Sequence, residues 1–149
     1  MYHRILVPLD GSPTGEAGLR HAIDLASALK AKLVLLHVMD DFALTMGMSS
    51  VTSYDTMRDA LRQYGQHALD RAQQATADAS VMCESFIREV AQARVSEVIN
   101  DEAVKHRRDL VVMGTHGRRG FSRLTMGSNA EAVMRTGTVP VLMVRAGAA

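Results

Sequence analysis

Asp109-Leu110-Val111-Val112-Met113-Gly114-Thr115-His116-Gly117, followed after nine residues by Gly127-Ser128, is the stretch on which the fold turns. The apolar run Leu110 to Met113 predicts a short buried strand. Gly114 and Gly117 let the backbone turn sharply behind it and come close to a ligand or another segment. Ser128-Asn129-Ala130-Glu131 has the Ser-x-x-Glu form of a capping box and predicts a helix start with Ser128 as its cap. A strand, a glycine loop and a helix start together make a place for phosphate, because the loop and first-turn N–H groups lack internal partners. The spacing is neither the Gly-x-x-x-x-Gly-Lys loop nor the Gly-x-Gly-x-x-Gly fingerprint, and no lysine lies in it.

Working outward, the same kind of strand recurs. Ile5 to Leu9, Leu33 to Val38, Val81 to Val90 and a last strand over Val139 to Val144 are the further candidates. The first two are uninterrupted apolar runs rather than alternating ones, the mark of a parallel sheet covered on both faces. Glu84, Arg88 and Glu89 make the third half-exposed and place it at or near an edge. Pro140 starts the last strand or marks it as an edge, since proline cannot donate to a ladder. Between the strands, apolar residues recur at three and four: Leu19, Ala22, Ile23, Ala26 and Leu29; Met57, Leu61, Tyr64, Ala68, Ala72 and Ala75; Val95, Val98, Ile99 and Ala103. Ser12 and Pro13 suit the cap and first turn of the first of these helices. Met39 to Ser53, polar and holding Gly47, is expected to be a long loop. The order β-α-β-α-β-α-β-α-β predicts an α/β fold, an open parallel five-stranded sheet with right-handed crossovers and helices on both faces. No linker or repeat divides residues 1–149, and one domain is expected.

Composition narrows the function. Of 149 residues, 47% are hydrophobic and 22% charged, with a net charge of +1. That balance gives no bulk attraction to nucleic acid or an anionic membrane. Tryptophan is absent and aromatics are 4%, so the stacking platforms of single-strand binders are not expected. Cys83 is the single cysteine, which excludes an intrachain disulfide and suits a reducing compartment. Its apolar setting suggests a buried structural thiol. The run after Met1 is too short for a signal or membrane segment, and a cytoplasmic protein is expected.

Ligands of such sheets bind beyond the carboxyl ends of the strands. If the first and fourth strands are neighbours, Asp10 faces the glycine loop. It would accept from ribose hydroxyls or help hold Mg²⁺ on phosphates, or else only shape the turn into the first helix. The glycines are either ligand-approach positions or turn residues. Arg118, Arg119 and Arg123 would screen phosphate charge or form a solvated basic loop. His116 offers its backbone amide rather than its ring. His37 reads as a satisfied structural histidine. No paired zinc spacing, nucleophile elbow or nucleophile beside a base is visible, which favours holding a nucleotide over turning it over.

The chain resembles the universal stress protein family from end to end. Ile5-Leu6-Val7-Pro8-Leu9-Asp10-Gly11-Ser12 resembles that family's first strand and turn, Leu35-Leu36-His37-Val38 its second strand, and Asp109 to Gly117 its fourth. Gly114, Gly117, Gly127 and Ser128 fit the Gly-x2-Gly-x9-Gly-Ser/Thr motif of the ATP-binding branch. The resemblance implies strand order 3-2-1-4-5, a Rossmann-like fold and an adenine-nucleotide site for ATP, AMP or ADP, with Mg²⁺ possible. It implies that Pro8 lines the site, that Asp10 meets the ribose or the metal, and that Val38 contacts adenine. Met113, Gly114, His116, Gly117 and Arg118 would form the loop side, and Gly127, Ser128 and Asn129 the phosphate end. It also implies a homodimer through the last strand, Val141 to Val144, which would cover an apolar edge. Glu89-Val90-Ala91-Gln92-Ala93 departs from the family pattern, lacking the glycine and proline that end the third strand in many members.

The function expected is thus an ATP-binding stress-response regulator whose nucleotide alters the 39–53 segment and its contacts with a protein partner. The alternatives are a slow Mg²⁺-dependent ATPase or phosphotransferase, and a nucleotide-independent scaffolding dimer.

Overall fold

The computed structural model describes residues 1–40, 51–90, 92–115 and 126–146. The elements run β1 (Arg4–Pro8), α1 (Pro13–Leu29), β2 (Lys32–Asp40), α2 (Val51–Asp78), β3 (Cys83–Val90), α3 (Val95–Lys105), β4 (Leu110–Gly114), α4 (Ser128–Thr136) and β5 (Val141–Val144). All strands pair in parallel, in the order β3-β2-β1-β4-β5. This is the order that the resemblance implied.

The uninterrupted apolar runs are explained by two cores, one on each face. Side chains alternate across a strand. Ile5, Val7, Leu33, Leu35, Leu110 and Val112 therefore pack under α1 and α2. Leu6, Val34, Leu36, Val111 and Met113 pack on the other face, with Ile99 of α3 and Val133 of α4. Ile5, Leu6 and Val7 are fully buried, and each such side chain contributes about 1.5–3 kcal/mol. Asp109 holds the ends of β1 and β4 together, its carboxylate accepting from the N–H groups of His3 at 2.7 Å and Arg4 at 3.0 Å.

Two glycines position the working end of the sheet. Gly11, in the turn after β1, has φ +82, a conformation glycine adopts without a steric penalty. Gly114 closes β4 beneath α1. A Cβ there would lie 2.5 Å from the Thr14 carbonyl oxygen and 3.0 Å from the Gly15 nitrogen. Gly18 completes the crossing, since its own Cβ would meet the Gly114 nitrogen at 3.1 Å.

Three expectations are corrected. Met39 and Asp40 belong to β2, because β3 is long enough to pair with them, Met39 opposite Glu89 and Asp40 opposite Val90. Val51 to Ser53 belong to α2. The expected loop thus loses both ends, and its remainder lies outside the described residues. Ser128 does not cap α4. Gly127 does, because its carbonyl accepts the first helical bond, from Glu131 N–H at 3.0 Å, and no side chain caps this end. Cys83 is half-buried rather than buried, its sulfur 3.0 Å from Thr76 Oγ1. The third and fifth strands are the two edges, as their charges and Pro140 foretold. No described helix is long and apolar enough to cross a membrane.

Candidate functional site

β1 lies between β2 and β4, so the chain leaves it in opposite directions to build the two halves of the sheet. At this reversal, helices on opposite faces part and leave a crevice beyond the strand ends. Here the crevice is partly open to solvent, and the space between its walls, open solvent included, is about 450 Å³. Pro8, Leu9 and Asp10 enter from the end of β1, Leu36 and Val38 from β2, and Met113 and Gly114 from β4. Ser12 and Gly15 close it from the start of α1, Val95 and Ile99 from α3, and Asn129 from α4. Its walls are mainly aliphatic, with polar groups at one side.

Local chemistry fixes those polar groups. The half-buried Asp10 accepts from Ser12 N–H at 2.9 Å through Oδ1. Ser12 is buried, and its hydroxyl caps α1 by accepting from Gly15 N–H at 3.1 Å. The turn is braced from behind. Tyr64 of α2 donates to the Asp10 carbonyl at 3.1 Å, and the buried His37 Nδ1 lies 2.7 Å from the Leu9 carbonyl. His37 is therefore the structural histidine its sequence context suggested.

The two parts of the glycine motif meet. Thr115 N–H donates to Val144 O at 3.0 Å, which continues the β4–β5 ladder, and Gly127 N–H donates to Thr115 O at 2.6 Å. The start of α4 is thereby held at the end of β4, with the positive end of its dipole at the crevice side. Gly127 has φ −60 and ψ 147, an extended conformation open to any residue. Its glycine is not explained by backbone strain. The Ser128 hydroxyl, relieved of capping, is exposed.

Of the residues singled out from the sequence, Pro8, Asp10, Val38, Met113, Gly114 and Asn129 line one crevice. Gly127 and Ser128 adjoin it without lining it. His116, Gly117 and Arg118 lie outside the described residues, as do Arg119 and Arg123. The sequence reading missed Leu9, Ser12, Gly15, Leu36, Val95 and Ile99 as walls. Val95 and Ile99, four apart at the start of α3, carried a signal that was read as core packing alone. Among the described residues no group of three His, Cys, Asp or Glu side chains could hold a metal ion. Among the described residues, Asp10 is the one carboxylate in the crevice lining.

Comparison with known proteins agrees with this geometry. The profile of the universal stress protein family matches residues 1–145. The chain belongs to that family. A universal stress protein of Methanocaldococcus jannaschii is 30% identical over 145 residues, covering 97% of this chain and 83% of its own. The crystal structure of a family protein from Burkholderia pseudomallei superimposes with a TM-score of 0.78 at 33% identity, covering 96% of each chain. An Arabidopsis thaliana family protein with AMP bound shares the fold, with a TM-score of 0.70 at 20% identity over 98% of this chain and 93% of its own. Another family member was solved in complex with cAMP, with a TM-score of 0.65 at 20% identity over 98% of each chain.

Proposed function

We propose that this chain binds an adenine nucleotide, ATP in the first instance, and acts as a nucleotide-dependent regulator in the stress response rather than as a catalyst. The observation that carries the reading is the convergence of Pro8, Asp10, Val38, Met113, Gly114 and Asn129 on one crevice at the reversal of strand order. Val38, Val95 and Met113 give an apolar slot of the kind a base fills. Asp10 offers a carboxylate to the ribose hydroxyls. The first-turn amides of α4 receive the phosphates, each favourable contact being worth roughly 0.3–1 kcal/mol. AMP and cAMP in the two structural neighbours support the adenine nucleotide class.

Mg²⁺ fits as a companion of the nucleotide. A single protein carboxylate plus phosphate oxygens and water is a common Mg²⁺ environment, and Asp10 supplies that carboxylate. We also propose a homodimer through β5, whose Val141, Leu142 and Met143 are half-exposed at the sheet edge.

Isothermal titration of nucleotide-stripped protein with ATP and Mg²⁺ tests the site. Saturable binding is expected, and Val38→Trp, which fills the slot with an indole, abolishes it while the fold is kept by circular dichroism. Binding unchanged in the variant overturns the assignment of the crevice.

A further inference from the structure

At the opposite end of the sheet, where the strands begin, lies a second and quite different hollow. It is open to solvent and receives Arg4 from β1 and Lys32 from β2. The end of α3 and the residues behind it add Lys105, His106, Arg107 and Arg108. Glu84 of β3 is the one acid in its lining among the described residues.

The charges do not cancel. Lys32 is spent on Glu84 at 2.9 Å. Lys105 meets Asp101 at 3.5 Å, an exposed pair within one helix that contributes little. Arg108 is buried, 8% exposed, with its guanidinium 3.5 Å from Glu84 and 3.6 Å from Glu102. Those separations exceed a good hydrogen bond, and among the described residues neither Arg108 Nε nor the buried Glu102 Oε1 has a hydrogen-bond partner. The side chains of Arg4 and Arg107 enter no ion pair among the described residues. The negative end of the α3 dipole opposes an anion here. It is blunted, because the N–H groups of His106, Arg107 and Arg108 occupy the carbonyls of Glu102, Val104 and Ala103.

We infer that this hollow is a second binding site, for a small multivalent oxyanion of the condensed-phosphate class. Arg107 supplies positive charge that enters no ion pair among the described residues, and Arg4 adds a charge shared only at longer range with Glu84. Arg108 adds a third guanidinium to its lining, and guanidinium forks match phosphate oxygens with charge-assisted bonds. A monovalent anion would find too little reward for displacing water from a site so open. A chain of phosphates reaches several of these groups together. The site lies apart from the crevice at the strand ends and does not depend on the reading given for it.

Pyrophosphate is the probe, titrated into the intact chain and followed by the backbone amide resonances of each residue. Saturable shifts are expected at Arg4, Lys32, Glu84 and residues 105–108. Any shifts at Asp10, Gly114 or Asn129 titrate independently and report the other site. The double variant Arg4→Gln with Arg107→Gln changes only exposed side chains, and weakens the first set about tenfold or more, as loss of a charge-assisted hydrogen bond does. Sodium chloride at matched ionic strength leaves that set in place. Absence of saturable shifts at millimolar pyrophosphate, equal affinity in the double variant, or the same shifts from chloride alone each overturns the proposal.

Discussion

Gly114 shows how one residue can serve two readings. Its sequence context suggested backbone approach to a ligand, and the structure adds helix packing, since the missing Cβ is what lets α1 cross β4 at Thr14 and Gly15. A Cβ 2.5 Å from a backbone oxygen cannot be absorbed by a flexible side chain. Gly114→Ala is expected to cost about 1–3 kcal/mol through overpacking, seen as a lower denaturation midpoint at an unchanged slope. Glu89 makes a second prediction. The guanidinium of Arg58, hydrogen-bonded to Glu89, holds its carboxyl below the ordinary 4.5, and Arg62 adds to this. A carboxyl lowered in the folded state adds stability at neutral pH that is lost as pH falls through the folded value. Denaturant titrations from about pH 6 to about pH 3 should show the wild type losing stability more steeply on acidification than Glu89→Gln. Equal slopes would mean that the pair adds nothing in solution.

Helix ends are the least sequence-legible elements here. Left-handed residues close α1, α2 and α3, and none is glycine: Lys30 at φ 55, Ser80 at φ 55 and Arg107 at φ 52. Each is followed by a residue whose N–H reaches back five positions, as Ala31 does to Ala26 O at 2.9 Å. This is the helix-ending motif in which glycine is the usual left-handed residue. Lys30→Gly, away from both hollows, should therefore stabilise by about 0.5–1 kcal/mol. The thermal midpoint would rise by about 1–4 °C in a chain of this size. β1, β2 and β4 were legible because buried parallel strands leave continuous apolar runs, and Leu33 to Leu36 can be little else. The start of α4 was not. Ser128 and Glu131 have capping-box spacing, yet the contact of Gly127 with Thr115 starts the helix one residue earlier. The edge of β2 was misplaced for a similar reason. Asp40 reads as a loop residue until its partner Val90, fifty positions later, is in place. Asp10 and Gly114 could be named from their positions at strand ends, whereas Pro8, Val38, Met113 and Asn129 entered as site residues through the family resemblance. Ser12 and Gly15 could not, because their role comes from the packing of α1 over Asp10.

For the molecule as a whole, the two edges of the sheet differ. β3 carries Glu84, Arg88 and Glu89, the charges that discourage edge-to-edge pairing. β5 carries only Val141-Leu142-Met143-Val144. The carbonyls of Pro140 and Val144 accept from Val111 of β4 and from Thr115 just beyond it. Alternate residues of a parallel strand bond to the same neighbour, so Val141 and Met143 direct their N–H and C=O groups outward. Met143→Pro removes one outward donor and leaves the β4 ladder intact. Sedimentation velocity is expected to show a dimer for the wild type and a monomer for the variant, with similar thermal midpoints. A variant that remains dimeric would move the interface away from β5.

The central position of β1 has a consequence for synthesis. β1 is made first, yet one of its two partners, β4, begins at Leu110, opposite Ile5. At about 5–20 residues per second, a ribosome needs roughly 5–20 s to make the chain between them. Through that interval the nascent chain can fold β1 against β2 but must leave its other flank as a bare strand edge, fully apolar at Ile5-Leu6-Val7. Release of a polypeptide ending before residue 110 would make that interval permanent. Such fragments should be bound by chaperones or aggregate, whereas the longer chain hides the same surface in the middle of its sheet.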